Sequence, residues 1–396
     1  MMKRSIKVAM LLCVVAVLLG VLSLKTVGAK AAPSNWRVSQ NRFSSNTCKW
    51  SVVPSLNGNS NSALSGVATV SANDVWAVGG SGSQLGAGYT LIEHWNGTQW
   101  QVVTSPSPDL YNTLTGVAAV SASNVWAVGW HANGSTTQTL IEHWNGTQWS
   151  VVTSPSPASI NNELYGVAAV SASDVWAVGF LSTNTATGAV DQTLVEHWNG
   201  TNWSVVKSSN PGSGSDHLAG VAAVSSNNVW TVGNYANSDG SGGTLAEHWN
   251  GTSWSVVKSP SPGSGGDLTG VSAVSASNVW AVGYTSINST LQTLTEHWNG
   301  TSWQVVKSSN VGQHPSFWAV AAISASNVWA VGSDGTNTKF NQTLTERWNG
   351  KQWSVVASPS PGSFNTQLLS VAAASTTDVW AVGVADSNTL TEHYHC

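Results

Sequence analysis

The segment Val-Trp-Ala-Val-Gly occurs seven times with small changes, around Trp76, Trp126, Trp176, Trp230, Trp280, Trp329 and Trp380. Successive tryptophans stand 50, 50, 54, 50, 49 and 51 residues apart, so the chain is an array of one repeated unit. A Gly-Val-Ala-Ala-Val-Ser stretch, such as residues 116–121, precedes most copies. After a variable loop each copy is followed by a Thr-Leu-x-Glu-His-Trp-Asn-Gly-Thr-x-Trp-Ser-Val-Val pattern, as at residues 139–152. No helical periodicity runs through these units.

Each unit reads as four short strands. In the second copy these are residues 116–121 and 124–129, a third strand ending at Trp144, and a fourth from about Thr147. Asn145-Gly146 suits a two-residue type I′ hairpin, which needs positive φ at both positions. The runs are apolar on both faces, as in Val75-Trp76 and Leu91-Ile92, so each small sheet must be covered on both sides. A four-stranded sheet sandwiched between copies of itself is a propeller blade, and seven copies predict an all-β, seven-bladed β-propeller. The ends complement one another. Residues 50–53 form a fourth strand with no third, and residues 389–394 a third strand with no fourth. Pairing them closes the ring and removes the exposed edges of an open array. Cys48 and Cys396 fall at this junction, where a disulfide would staple the ring; a paired metal site or two free thiols are the alternatives.

Of the 23 tryptophans, twenty occupy three fixed repeat positions, which assigns them to packing between blades rather than to a binding surface. Charged residues are only 8% of the chain, against roughly 25% in a typical soluble protein. The first 31 residues read as a secretory signal: Lys3, Arg4 and Lys7 precede an apolar run over 8–24, and Ala29-Lys30-Ala31 offers a cleavage site. A retained membrane anchor is the alternative. With the signal removed, residues 32–46 form a short leader and 47–396 the propeller. Nine cations then face eighteen anions, a balance that excludes phosphate-backbone binding and hence nucleic acid.

Asp74-Val75-Trp76-Ala77-Val78-Gly79-Gly80 resembles the second strand of a kelch repeat with its double glycine. Trp95-Asn96-Gly97-Thr98-Gln99-Trp100 resembles the kelch aromatic–turn–Trp hairpin. The likeness covers all seven repeats, although only the first has the Gly-Gly pair, and the Trp-rich repeats of secreted bacterial propellers are closer still. It implies the fold and says little of function, since propellers host many activities.

The repeated pairs Glu93-His94, Glu142-His143, Glu196-His197, Glu247-His248, Glu296-His297 and Glu392-His393, with Glu346-Arg347 in the sixth unit, could suggest metal or acid–base chemistry. Neighbours on a strand point to opposite faces, so a Glu and its adjacent His cannot share a ligand. The expectation is a structural peg in each blade, the Glu accepting from indole or hydroxyl donors. Five Asn-Gly-Thr triplets, at Asn96, Asn145, Asn199, Asn250 and Asn299, match glycosylation acceptors, but a hairpin turn explains them without glycans. No zinc-protease motif, nucleophile elbow or phosphate loop occurs. The non-repeat acids Asp109, Asp191, Asp216, Asp239, Asp267 and Asp334 come from different blades with no evident pairing. No catalytic residue, cofactor or metal is expected.

What varies between units carries the functional expectation. The loops after each second strand and the blade-linking segments emerge on one face and are rich in Ser, Thr, Asn and Gly. Trp130, His131, Phe180, Tyr235 and Tyr284 follow second strands, and Tyr165 and Trp318 stand just before the first strand's Val, where most blades have a small residue, with Tyr111, His314 and Phe317 nearby. Aromatic faces among amides and hydroxyls suit stacking on sugar rings; the alternative is that they only pack the loops. The sequence therefore predicts a secreted, monomeric, non-enzymatic module that binds an extracellular glycan or, alternatively, a secreted or cell-surface protein. A hydrolase with an unrecognised site is a third, minor reading.

Overall fold

The computed structural model describes residues 48–56, 61–82, 88–185, 188–309, 312–335 and 341–396. The expected signal segment and leader lie outside them. Among the described residues no helix is long and apolar enough to cross a membrane. Among the described residues twenty-eight strands form seven separate four-stranded sheets. In blade 2 the strands are Tyr111–Ser121, Asn124–Ala132, Thr137–Trp144 and Trp149–Val151, joined in sequence order as an antiparallel meander. Blades 1 and 3 to 6 repeat this plan. Their first strands begin at Ser62, Asn161, Asp216, Ser264 and His314. Blade 7 is composite: Thr366–Ser375, Asp378–Ala385 and Asn388–His395 are completed by the N-terminal strand Lys49–Val52, with Trp50 opposite Tyr394. A disulfide between Cys48 and Cys396 adjoins that pairing and spans 348 residues of sequence.

The core lies between blades rather than within them. Trp76, Val78 and Ile92 of blade 1 pack on Leu114, Val125, Ala127, Leu140 and Trp149 of blade 2, and the same set recurs at every interface. The Trp76 ring centroid is 5.0 Å from Trp144 and 5.4 Å, edge-on, from Trp149. Closure reproduces this geometry: Trp329 meets Tyr394 at 4.6 Å and Trp50 at 5.3 Å, and Trp380 meets Trp95 and Trp100 at 4.9 and 5.2 Å. Such offset and edge-on aromatic pairs contribute about 0.5–1.5 kcal/mol each beyond the area they bury.

The glycine of each Val-Gly has a steric cause. A Cβ on Gly129 would stand 2.1 Å from the Thr113 carbonyl oxygen, because a bulge between Leu114 and Gly116 presses the first strand against the second. First strands are also longer than the sequence pattern indicated, starting at Tyr111 rather than at 116. The hairpin differs from the expected type I′ turn. Trp144 pairs with Trp149 across a four-residue loop in which Gly146 has φ of +94° and Asn145 is not left-handed. The Asn145 side-chain oxygen accepts from the Thr147 amide at 2.9 Å, the Thr147 hydroxyl at 2.7 Å and the Gln148 amide at 3.0 Å. The side chain does the work expected of a second left-handed residue, which gives the Asn-Gly-Thr triplet a structural reason.

Because the bridge closes almost the whole ring, the variant Cys48→Ser/Cys396→Ser should lose roughly 2–5 kcal/mol of stability. Thermal unfolding of oxidised, reduced and variant protein checks this; equal midpoints for all three would mean that strand pairing alone closes the ring.

Candidate functional site

In a meander, the loops after second strands and the blade linkers share one end of the ring. Two first- and second-strand positions at that end vary in chemistry from blade to blade. One precedes the buried Leu or Phe of the first strand and is Ala63, Thr113, Glu163, His217, Asp267, Ser316 and Gln367 in turn. Its cross-strand partner follows the packing glycine and is Gly80, Trp130, Phe180, Asn234, Tyr284, Ser333 and Val384. The second position looks across to the first position of the next blade. A Cβ on Gly80 would lie 2.9 Å from the Thr113 hydroxyl, and the Phe180 ring sits edge-on to His217 at 4.8 Å. By the same repeat geometry Trp130 stands toward Glu163.

Blades 2 to 4 concentrate polar and titratable groups here. Thr137 of blade 2 donates to Glu163 Oε1 at 3.2 Å, and the Tyr165 hydroxyl donates to Glu163 Oε2 at 3.0 Å. Tyr165 packs on Phe180 at 5.7 Å. His217 Nε2 is 3.0 Å from Asp191 Oδ2, and Ser182 donates to Asp191 Oδ1 at 2.6 Å. These contacts link three consecutive blades. A second pair, His131 Nδ1 and Asp109 Oδ2 at 2.6 Å, lies in blade 2 and its entry linker, where Asn112 holds Asp109 through its main chain.

The two central carboxyl groups are driven apart. Burial raises the pKa of Glu163, only 7% exposed, and outweighs the hydrogen bonds from Tyr165 and Thr137. Burial also acts on Asp191, but the hydrogen bonds from His217 and Ser182 reverse it and hold that carboxyl below its ordinary value. Burial, with Glu163 beside it, keeps the Tyr165 phenol protonated. Asp216 is raised by burial against the amides of Gly212 and Ala236. The sector thus offers a carboxylate, a carboxyl biased to its acid form, an imidazole, a phenol and several hydroxyls around an aromatic wall. That array can donate to and accept from a ligand's hydroxyl groups. Among the described residues no three His, Cys, Asp or Glu side chains converge as metal ligands.

The sequence-predicted aromatics divide into two sets. Trp130, Phe180 and Tyr284 are 7%, 4% and 9% exposed and are packed into the walls between blades. Tyr165, Tyr235, His131 and Trp318 are half-buried. Tyr165 and Phe180 come together with His217, and Tyr284 meets Trp318 at 6.0 Å, with the Trp318 indole donating to Ser333. Two of the non-repeat acids, Asp109 and Asp191, each hold a histidine. Glu163 and His217 escaped notice, although each departs from the small residue at its repeat position in blades 1 and 2.

The Glu-His pairs are structural, though not as expected. The histidine is the peg: His94 stacks on Trp76 at 4.2 Å and reaches Asp74 at 2.8 Å, the other histidine-bearing blades follow suit, and in blade 6 Arg347 donates to Asn327 at 3.1 Å instead. The glutamates are fully buried, and for Glu93, Glu142, Glu196 and Glu392 neither carboxyl oxygen meets a donor. A cavity of about 540 Å³ on the outer wall between blades 3 and 4 is lined by Lys207, Asn210, Trp249 and Trp254. Its tryptophans hold fixed repeat positions.

No protein-family model matches this chain, and no curated protein matches it in sequence. Several solved structures share its architecture. YCF48 bound to a D1 peptide is 13% identical, with a TM-score of 0.55 over 89% of this chain and 96% of that one. The GH74 xyloglucanase from Xanthomonas campestris is 11% identical, with a TM-score of 0.54 over 86% of this chain and 52% of the enzyme, so this chain spans about half of it. An ulvan lyase of family PL25 is 10% identical, with a TM-score of 0.51 over 82% and 90%. At these identities the likeness shows the fold alone: the protein is a seven-bladed β-propeller with tryptophan-bearing strands.

If Glu163 and Tyr165 act as one unit, a double-mutant cycle of Glu163→Gln and Tyr165→Phe should give a coupling of about 1 kcal/mol in chemical denaturation. Strict additivity would show that the two groups do not support each other.

Proposed function

We propose that the protein is a secreted, non-enzymatic binding module that takes a carbohydrate at the mouth of blades 2 to 4. One observation carries this reading: Glu163, Tyr165, Asp191 and His217 gather around Phe180 in one sector, where blades 1 and 2 keep small residues at the matching first-strand positions. The sector supplies donors and acceptors for ring hydroxyls, and the half-buried Tyr165 supplies an aromatic edge. The kelch-like resemblance and export through an N-terminal signal belong to the same reading. Two of the similar propellers are named for polysaccharides, a xyloglucanase and an ulvan lyase, which supports a sugar ligand without assigning one. A second reading, an extracellular protein-interaction scaffold, has its own support. Phe364 is 71% exposed, and Leu56, Leu110 and Tyr89 are also exposed on linkers and loops of the same end; YCF48 is seen with a bound peptide.

Glycan-array binding by the oxidised protein from Ala32 to Cys396 separates the two. A coherent hit is expected, lost by tenfold or more in Asp191→Asn/His217→Ala and weakened in Trp130→Ala/Trp318→Ala. A blank array with folded protein, or a hit that both variants retain, would refute the carbohydrate site and favour the scaffold, for which Phe364→Ser is the matching variant.

A further inference from the structure

Each blade buries one glutamate that the mouth does not use: Glu93, Glu142, Glu196, Glu247, Glu296, Glu346 and Glu392, all 0% exposed. All occupy the same third-strand position, opposite the Ala or Thr that follows the second-strand Trp. Each side chain points away from the adjacent His or Arg and toward the linker of the preceding blade. In three blades that linker gives a direct hydrogen bond. Ser209 gives its amide to Glu247 at 3.0 Å, Ser309 gives its amide to Glu346 at 3.1 Å, and Ser259 gives its hydroxyl to Glu296 at 2.7 Å. The amide of Leu56 faces Glu93, but neither carboxyl oxygen of Glu93 completes a hydrogen bond.

At the residue matching Ser209, Ser309 and Leu56, the other linkers carry Pro106, Pro155, Pro260 and Pro359, which have no N–H to give. Opposite three of these prolines, Glu142, Glu196 and Glu392 have no partner for either oxygen. No cation compensates. Among the described residues the only ionisable side chain bearing on any of the seven is Asp216 on Glu247, a like charge. An ionised carboxylate so placed would be a desolvated charge without a counter-ion, which folded proteins avoid by neutralising the group.

We propose that these seven glutamates form a proton-dependent latch between blades: each is held as the neutral acid in the closed ring, and their ionisation at alkaline pH loosens the blade interfaces. Burial pushes Glu93, Glu142, Glu196, Glu296 and Glu392 up to about 8. Glu247 rises to about 7 and Glu346 is also raised, in both cases by burial offset by a linker amide. The unfolded chain ionises these groups near 4.5. Their folded values are raised, so their stabilising contribution is complete below about 4.5 and is lost as pH climbs to about 8. Each carboxyl can change the unfolding equilibrium by about tenfold per pH unit across that window. The half-buried imidazoles of His143, His248, His297 and His393 are depressed by partial burial and act in the opposite sense, below about 6.5, so the latch is read above pH 7.

The test is thermal unfolding of the oxidised protein between pH 7 and 9, beside Glu142→Gln/Glu196→Gln/Glu392→Gln. The wild-type midpoint should fall as pH rises to about 8 and then level off. The triple variant should show a shallower fall and, at pH 8, an unfolding constant at least tenfold smaller than the wild type's. Infrared spectra of the folded wild-type protein at pH 6.5 should show protonated carboxyl absorption that shrinks in the variant. A pH-independent wild-type midpoint, an undiminished slope in a folded variant, or spectra showing only ionised carboxylates would overturn the proposal. The wild-type spectrum decides the matter even if the variant fails to fold.

Discussion

The contact on which the rest of this structure depends is the one between the second-strand tryptophan of one blade and the aromatic pair at the outer edge of the next. A four-stranded blade cannot bury either of its faces alone, and Trp76, Trp126 and their equivalents are covered only when the neighbour is in place. The arrangement has no natural end. Left open, it would expose Trp380 at one side and leave the pocket around Leu64 and Val75 unfilled at the other. Ring closure removes both defects at once, and the exchanged N-terminal strand is the device that makes closure specific. Trp50 supplies to blade 7 the outer aromatic that blades 1 to 6 make from their own fourth strands.

That division of labour frees one end of the ring to vary. The packing residues lie in the middle and outer parts of the blades and barely change from copy to copy. First-strand starts, second-strand ends and linkers touch fewer of them. It is there that the copies diverge, to Glu163 and Tyr165 in blade 3, His217 in blade 4 and Trp318 in blade 6. Blades 2 to 4 became polar and titratable, while the linkers around blades 6, 7 and 1 carry exposed Phe364 and Leu56. The two halves of the face therefore offer different chemistry to a ligand.

Much of this was legible in the sequence, because the repeat is strict. Seven blades, the composite blade at the termini and the Cys48–Cys396 bridge all follow from counting copies and aligning their ends. The turn was misjudged because an Asn side chain can accept the hydrogen bonds that a second left-handed residue would otherwise satisfy. The Glu-His pair was misjudged because strand alternation says that the two side chains separate but not what each one meets. Only the fold shows that the histidine finds Asp or Asn while the glutamate faces a linker, whose donor proline has removed opposite Glu142, Glu196 and Glu392. The pairing of Asp191 with His217 was hidden because it joins strands of two different blades, so no local spacing encodes it.

If the interface tryptophans carry the fold and the mouth carries the function, the mouth can be rewritten with the residues of another blade. The variant Glu163→Thr/Tyr165→Thr/Asp191→Thr/His217→Thr places in blades 3 and 4 the threonines that blade 2 has at Thr113, Thr115 and Thr137. The most direct measurement is its thermal midpoint together with its affinity for whichever ligand the wild-type protein binds. The account predicts a midpoint within about 3 °C of wild type and loss of binding. A collapsed midpoint, or full affinity in a stable variant, would contradict it by making the cluster structural rather than functional.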